Sequence, residues 1–334
     1  MAKITVLGGG TWGIALTILL SNAGHEVCVW SALESELESL RTEHAHKGLP
    51  GAVIPDSVTY TLDDKEAVTD RDVLVMAVAS SFTRKTAKRL APLIKKGQII
   101  VDVAKGIEEG TLMTLSEQIK EEIPDADVCV LSGPTHAEEV SRLMPTTIVV
   151  SATTKETALY VQDVFMTDTF RVYTSSDVKG VELGGSLKNV VALAAGIADG
   201  LGYGDNAKAA LITRGIAEIS RLGVAMGCRP ETFNGLSGIG DLIVTCASMH
   251  SRNRRCGILL GQGKTLDEAR AEVGQVVEGI YSAKAAIELG RKYNVSLPII
   301  EQVNLILFEG KDAGLAVKEL MVREKKDEVS DTQR

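Results

Sequence analysis

The hydrophobic pattern changes character once along the chain, and that change limits the folds open to it. Up to residue 176, short apolar runs at 4–7, 27–30, 73–78, 99–103, 128–131, 147–150 and 170–173 alternate with stretches of helical spacing. Helices are predicted over 11–23 (closed by Gly24), 34–41, 82–94, 112–123, 136–143 and 155–165. Strands rich in Val, Ile and Leu are buried on both faces, so the alternation implies a largely parallel sheet with helices on each side. From residue 177 the spacing is helical, with helices predicted over 178–198, 207–226, 241–247, 252–260 and 283–292 and no strand. The chain is therefore read as α/β, with a sheet domain over 1–176 and an all-α domain over 177–334. Its charged last residues, from about Lys325, are expected to fray.

The first strand runs into Gly8-Gly9-Gly10-Thr11-Trp12-Gly13, and a helix follows. Three glycines at this spacing align easily by chance. Between a first strand and a first helix they read as a dinucleotide-binding loop of the Rossmann type. Gly8 permits the tight turn, Gly10 lets a pyrophosphate approach the backbone, and Gly13 lets the helix pack on the strand. The phosphates then meet free N–H groups at the positive end of the helix. At the end of the second strand, where NAD-binding chains usually carry Asp or Glu for the ribose 2′-hydroxyl, stands Ser31. A neutral residue removes the repulsion against a 2′-phosphate, although no Arg follows at once. NADPH is the expected cofactor, with NADH the alternative and no metal.

The 334 residues suffice for two cores, and 45% of them are apolar. A net charge of −8 repels phosphate backbones, which argues against nucleic acid as a partner. A site for an anionic substrate must then be built locally from a few Lys and Arg residues. Five cysteines without a CxxC pair read as buried reduced thiols. No charged segment and apolar run precede the first strand as in a signal peptide. No apolar run is taken to approach the ~20 residues that span a bilayer. The protein is expected in the cytoplasm, without membrane insertion, and its helical half offers a surface for a homodimer.

In open α/β sheets ligands bind beyond the C-terminal strand ends. Two such ends carry chemistry: Ala104-Lys105-Gly106 and Ser132-Gly133-Pro134-Thr135. Lys188 is more telling. Its helical neighbours are Gly184, Gly185, Val191 and Ala192, which supply no carboxylate, and the two glycines are read as room for a ligand. Desolvation there favours the neutral amine, and Lys105 nearby would add to that. A neutral amine can take a hydroxyl proton and its protonated form can return it. Asp241 starts an apolar helix and reads as its N-cap, or as a group that reaches Lys188. Ser251-Arg252-Asn253-Arg254-Arg255 is the densest basic cluster. With Ser251 as cap it makes a dianion site at a helix start, with one or two of the arginines facing inward.

The long motifs place the chain near a known family. Leu131-Ser132-Gly133-Pro134-Thr135-His136-Ala137-Glu138-Glu139, Gly180-Val181-Glu182-Leu183 running on to Lys188-Asn189, Gly204-Asp205-Asn206-Ala207-Lys208, Gly240-Asp241-Leu242-Ile243-Val244-Thr245-Cys246 and the Ser251–Arg255 cluster occur in order. Together they resemble the bacterial NAD(P)-dependent glycerol-3-phosphate dehydrogenases over essentially the whole length. The resemblance implies reversible reduction of dihydroxyacetone phosphate to sn-glycerol 3-phosphate for glycerophospholipid synthesis. It implies Lys188 as proton acceptor, and Lys105, Gly133, Thr135, Asp241, Ser251, Arg252 and Asn253 at the substrate. Thr11, Trp12 and Ala137 would line the cofactor site, Lys105 and Arg252 would serve both ligands, and Val276 and Glu278 would close over the dinucleotide. The chain departs from the family pattern at Ala79, where a Pro is usual, and at Thr135, where Ser is common. Two other readings fit the residues less well: a dehydrogenase of a β-hydroxy acid, which leaves the basic cluster unexplained, and a dinucleotide sensor, which needs no lysine at the nicotinamide end.

Overall fold

The structure is a computed structural model, and it describes residues 1–325 and 327–328. The expected fraying beyond Lys325 concerns positions largely outside these. Among the described residues eight strands form one sheet: β1 (Lys3–Leu7), β2 (Glu26–Trp30), β3 (Thr59–Thr61), β4 (Val73–Met76), β5 (Ile99–Asp102), β6 (Asp127–Ser132), β7 (Thr146–Ala152) and β8 (Phe170–Ser175). Their order is β3-β2-β1-β4-β5-β6-β7-β8, and every neighbouring pair is parallel except β6–β7. The chain leaves β1 in one direction for β2 and β3 and returns to β1's other side with β4. That reversal opens a crevice above the C-terminal ends of β1 and β4.

The helices of this half are α1 (Thr11–Asn22), α2 (Glu34–Glu43), α3 (Asp64–Val68), α4 (Thr83–Leu90), α5 (Leu115–Glu122), α6 (Ala137–Val140) and α7 (Lys155–Phe165). One apolar cluster joins β1 and β2 to α1, α2 and α7, and another joins the opposite face of the sheet to α3, α4 and α5. The sequence reading missed β3 and α3. Thr59-Tyr60-Thr61 has no apolar run, and it is held by register with β2 rather than by its own composition. The helix expected over 82–94 is cut after Leu90, and a short 3₁₀ turn carries Pro92, which has no N–H to continue the ladder. The helix expected over 136–143 is the single turn of α6, and the chain leaves it through Leu143 in the left-handed region.

Among the described residues nine α-helices follow: α8 (Val178–Gly200), α9 (Asp205–Ala225), α10 (Pro230–Phe233), α11 (Asp241–Ala247), α12 (Arg252–Gly261), α13 (Leu266–Val273), α14 (Glu278–Lys292), α15 (Pro298–Glu309) and α16 (Ala313–Met321). Local chemistry starts those not anticipated: Pro230 opens α10, Thr265 and Glu268 form a capping box at α13, Pro298 opens α15, and Asp312 caps α16. The free N–H groups of Ile299 and Ile300 are accepted by the buried Glu218 carboxylate from α9.

α8 is the core of this half, buried without interruption from Gly180 to Ala198. It corrects one expectation, because it is long and apolar enough to cross a membrane. Here it is enclosed by protein instead, with α9, α11, α12 and α14 packed around it. Its contact with α12 is backbone to backbone. A Cβ on Gly196 would fall 2.1 Å from the Arg254 carbonyl oxygen, and one on Gly257 2.2 Å from that of Leu193. Gly200 and Gly261 repeat the contact one turn on. These glycines fix where the N-terminus of α12 points. Gly257→Ala is therefore expected to destabilise the fold by ~1–3 kcal/mol through forced overpacking, read as a lower midpoint in chemical denaturation.

Candidate active site

The crevice above β1 and β4 continues into a cavity of about 440 Å³ shared by the sheet and the helices. At its sheet end lies the glycine loop. Gly8 takes φ +119°, and its N–H is donated to the Trp30 carbonyl. A side chain at Gly13 would collide with the Gly8 carbonyl oxygen, which is how closely α1 approaches the turn. Gly8 and Gly13 thus shape the loop from behind, whereas Gly10, Thr11 and Trp12 line the cavity. No side chain caps α1, so its first N–H groups stay available, and space is open in front of Gly10. Trp12 is anchored by donation from its indole to the Val103 carbonyl (3.2 Å).

At the other end α8 and α11 meet. Lys188, 5% exposed, donates to the Asp241 carboxylate at 2.5 Å and to the Thr245 hydroxyl at 2.6 Å. The second Asp241 oxygen accepts from Lys105 at 2.7 Å, and Lys105 also donates to the Gly133 carbonyl. Asp241 is 1% exposed, so one buried carboxylate serves two ammonium groups. It makes no capping bond, which corrects the N-cap reading; Gly240 occupies that place. Burial pushes the Lys188 ammonium down to about 8, Asp241 pulls it up, and Lys105 pushes it down again. Two of its three donors are used by Asp241 and Thr245. The glycines below Lys188 do not leave room for a ligand as expected. The space at Gly184 is taken by the Ser237 backbone and that at Gly185 by the Ser132 and Lys105 side chains. They bring protein groups close to the lysine.

Along the cavity wall α12 presents its N-terminus. Ser251 caps it, accepting from the Arg254 N–H at 3.2 Å. Arg252 and Arg255 line the cavity, and the Arg255 Nε is buried without a partner. Arg254 turns away to Asp199 and the Ala247 carbonyl. Asn253 also lines the cavity, its amide donating to Asn189 and its oxygen accepting from the Gly279 N–H. Thr135 and Ala137 face the same space, as do Val276 and Glu278. Glu278 accepts from the Ser80 hydroxyl at 2.5 Å, so the loop after β4 that departs from the family pattern at Ala79 is tied directly to α14. Ser31 does not reach the cavity; its hydroxyl donates to Glu36. Gly133 and Asp241 stand behind the wall, touching the lysines rather than lining the space.

Sequence reasoning missed several lining residues. Asn189 and Thr245 sat inside quoted motifs beside Lys188 and Asp241, one helical step from the residues singled out. His136, whose Nε2 is buried without a partner, was passed over as a helix start. Burial lowers its pKa, with the Lys188 charge adding to the effect.

The architecture agrees with what comparison with known proteins finds. The N-terminal region of NAD-dependent glycerol-3-phosphate dehydrogenase matches residues 3–158, and the C-terminal region matches residues 177–318. The chain is 62% identical over 331 residues to the glycerol-3-phosphate dehydrogenase [NAD(P)+] of Agathobacter rectalis, covering 99% of this chain and 98% of that one. It is 49% identical over 335 residues to that of Bacillus subtilis, covering 99% and 97%. The crystal structure of the Coxiella burnetii glycerol-3-phosphate dehydrogenase superposes with a TM-score of 0.93 at 36% identity, covering 96% of this chain and 99% of that one. With both of its halves matched, the chain belongs to the NAD-dependent glycerol-3-phosphate dehydrogenase family.

Proposed function

We propose that this cavity reduces dihydroxyacetone phosphate reversibly to sn-glycerol 3-phosphate, with Lys188 as the general acid and base. The observation that carries the reading is the Lys188 ammonium, buried between Asp241 and Thr245 in the same cavity as the glycine loop and the basic start of α12. The glycine loop fits a dinucleotide: α1 has uncapped N–H groups, and nothing of the protein fills the space before Gly10. When bound, the nicotinamide supplies or accepts the hydride.

The chain's own residues do the rest. Gly10, Thr11, Trp12, Ala137 and Val276 form the cofactor wall, and Glu278 closes it from the helical side. The α12 N-terminus with Arg252, Arg255 and Asn253 holds the substrate phosphate, while Thr135 and Lys105 bound the carbon chain. This fixes the carbonyl carbon in place, and positioning of this kind supplies much of a rate enhancement. The third Lys188 donor gives its proton to the oxygen on C2 during reduction and takes it back during oxidation. Asp241 holds the amine in register and keeps it chargeable despite its burial. The product would feed glycerophospholipid synthesis. Five free, buried cysteines support a reducing, cytoplasmic setting. Exposed Phe308, Leu315 and Met321 near the end of the helical half support a homodimer.

Lys188→Ala is expected to lower turnover with dihydroxyacetone phosphate by at least ~100-fold while leaving dinucleotide binding nearly intact. Near-normal turnover would refute the role. The rate of ketone reduction should fall as pH rises through about 8, and that of alcohol oxidation should rise through the same value, since one needs the ammonium and the other the amine. In Asp241→Asn both limbs should move to lower pH, because burial and Lys105 then act unopposed. Arg252→Ala is expected to raise KM for dihydroxyacetone phosphate by ~10-fold or more, with a much smaller effect on unphosphorylated dihydroxyacetone.

A further inference from the structure

Glu36, five positions beyond Ser31, lies close to the glycine loop. α2 begins soon after β2 ends, and its first turn bends back over the strand end. There the Ser31 hydroxyl donates to Glu36 Oε2, while Ser31 Oγ itself accepts from the Leu33 N–H at 3.1 Å. The serine proton is therefore committed to the carboxylate. The Glu36 side chain also lies on the glycine loop, since a Cβ at Gly9 would sit 3.1 Å from its Cγ and Cδ and 3.2 Å from Oε2. Gly9 is the neighbour of Gly10, where the loop opens into the cavity. Among the described residues no hydrogen bond engages the second Glu36 oxygen.

We propose that Glu36 accepts the adenosine 2′-hydroxyl of the dinucleotide and that this chain uses NADH in preference to NADPH. The proposal rests on placement of the cofactor along the glycine loop as argued above. In this fold a carboxylate at the end of the second strand bonds the ribose hydroxyl, and a 2′-phosphate there would meet like charge. The surroundings do not offset that charge. Residues 34–43 hold four glutamates and one arginine. That arginine, Arg41, is committed to Glu34 and the Tyr60 carbonyl. His46 lies near Glu36, but burial lowers its pKa and favours the neutral ring. Lys47 is exposed on the same loop. Ser31 is then a positioning residue: it orients Glu36 rather than opening a pocket for phosphate.

The test measures binding of NADH and NADPH to the purified protein by titration calorimetry, with steady-state kcat/KM for each cofactor beside it. Wild type is expected to favour NADH by at least ~10-fold in both measurements, equivalent to one repulsive contact. Glu36→Gln should narrow the ratio by weakening NADH and strengthening NADPH. Ser31→Ala should weaken NADH in the same sense but less, and a thermal melt checks that each variant is folded. Equal or tighter binding of NADPH by wild type overturns the proposal, as does a ratio that Glu36→Gln leaves unmoved. Absence of turnover of dihydroxyacetone phosphate with either cofactor would instead strike the functional reading itself, while the binding ratio would still decide the role of Glu36.

Discussion

One buried carboxylate between two lysines organises this molecule. Asp241 lies on α11, Lys188 on α8 and Lys105 in the loop after β5, so the two ion pairs join three separate pieces of chain. An isolated charge in such a place would cost several kcal/mol. The triad is tolerable because each oxygen of Asp241 has a partner and Thr245 and the Gly133 carbonyl take up further donors. It also leaves two cations for one anion. The surplus positive charge suits a cavity that must receive a phosphate ester, within a chain whose net charge is −8.

Much of this was readable from residue order. The glycine loop, the parallel strands and the position of Lys188 follow from local pattern and from the rule that ligands gather at strand ends. What escaped depends on partners distant in sequence. Thr59–Thr61 is a strand only because β2 lies beside it. Gly184 and Gly185 looked like space because nothing in their own segment reveals that Ser237 and Lys105 arrive to fill it. Ser31 is a different case: its hydroxyl meets a carboxylate from the first turn of the next helix, folded back onto Gly9, which the residues directly after the strand do not reveal.

The two halves are tied by polar contacts beyond the lysine triad as well. Ser80 with Glu278 makes one tie, and the buried Glu182 of α8, which accepts from both the N–H and the hydroxyl of Ser116 at the start of α5, makes another. Burial pushes the Glu182 carboxyl up to about 7 while the Ser116 donors oppose it. Each tie places a helix start against a carboxylate, a favourable arrangement for the helix dipole.

The enclosure of α8 has a consequence for how the protein is made. The helix leaves the ribosome well before its covers: α14 ends at Lys292, about ninety residues after Gly200. At ~5–20 residues per second this is an interval of roughly 5–20 s in which the long apolar core helix of this half lacks its full wrapping. During that interval its apolar surface is a natural target for holdase chaperones.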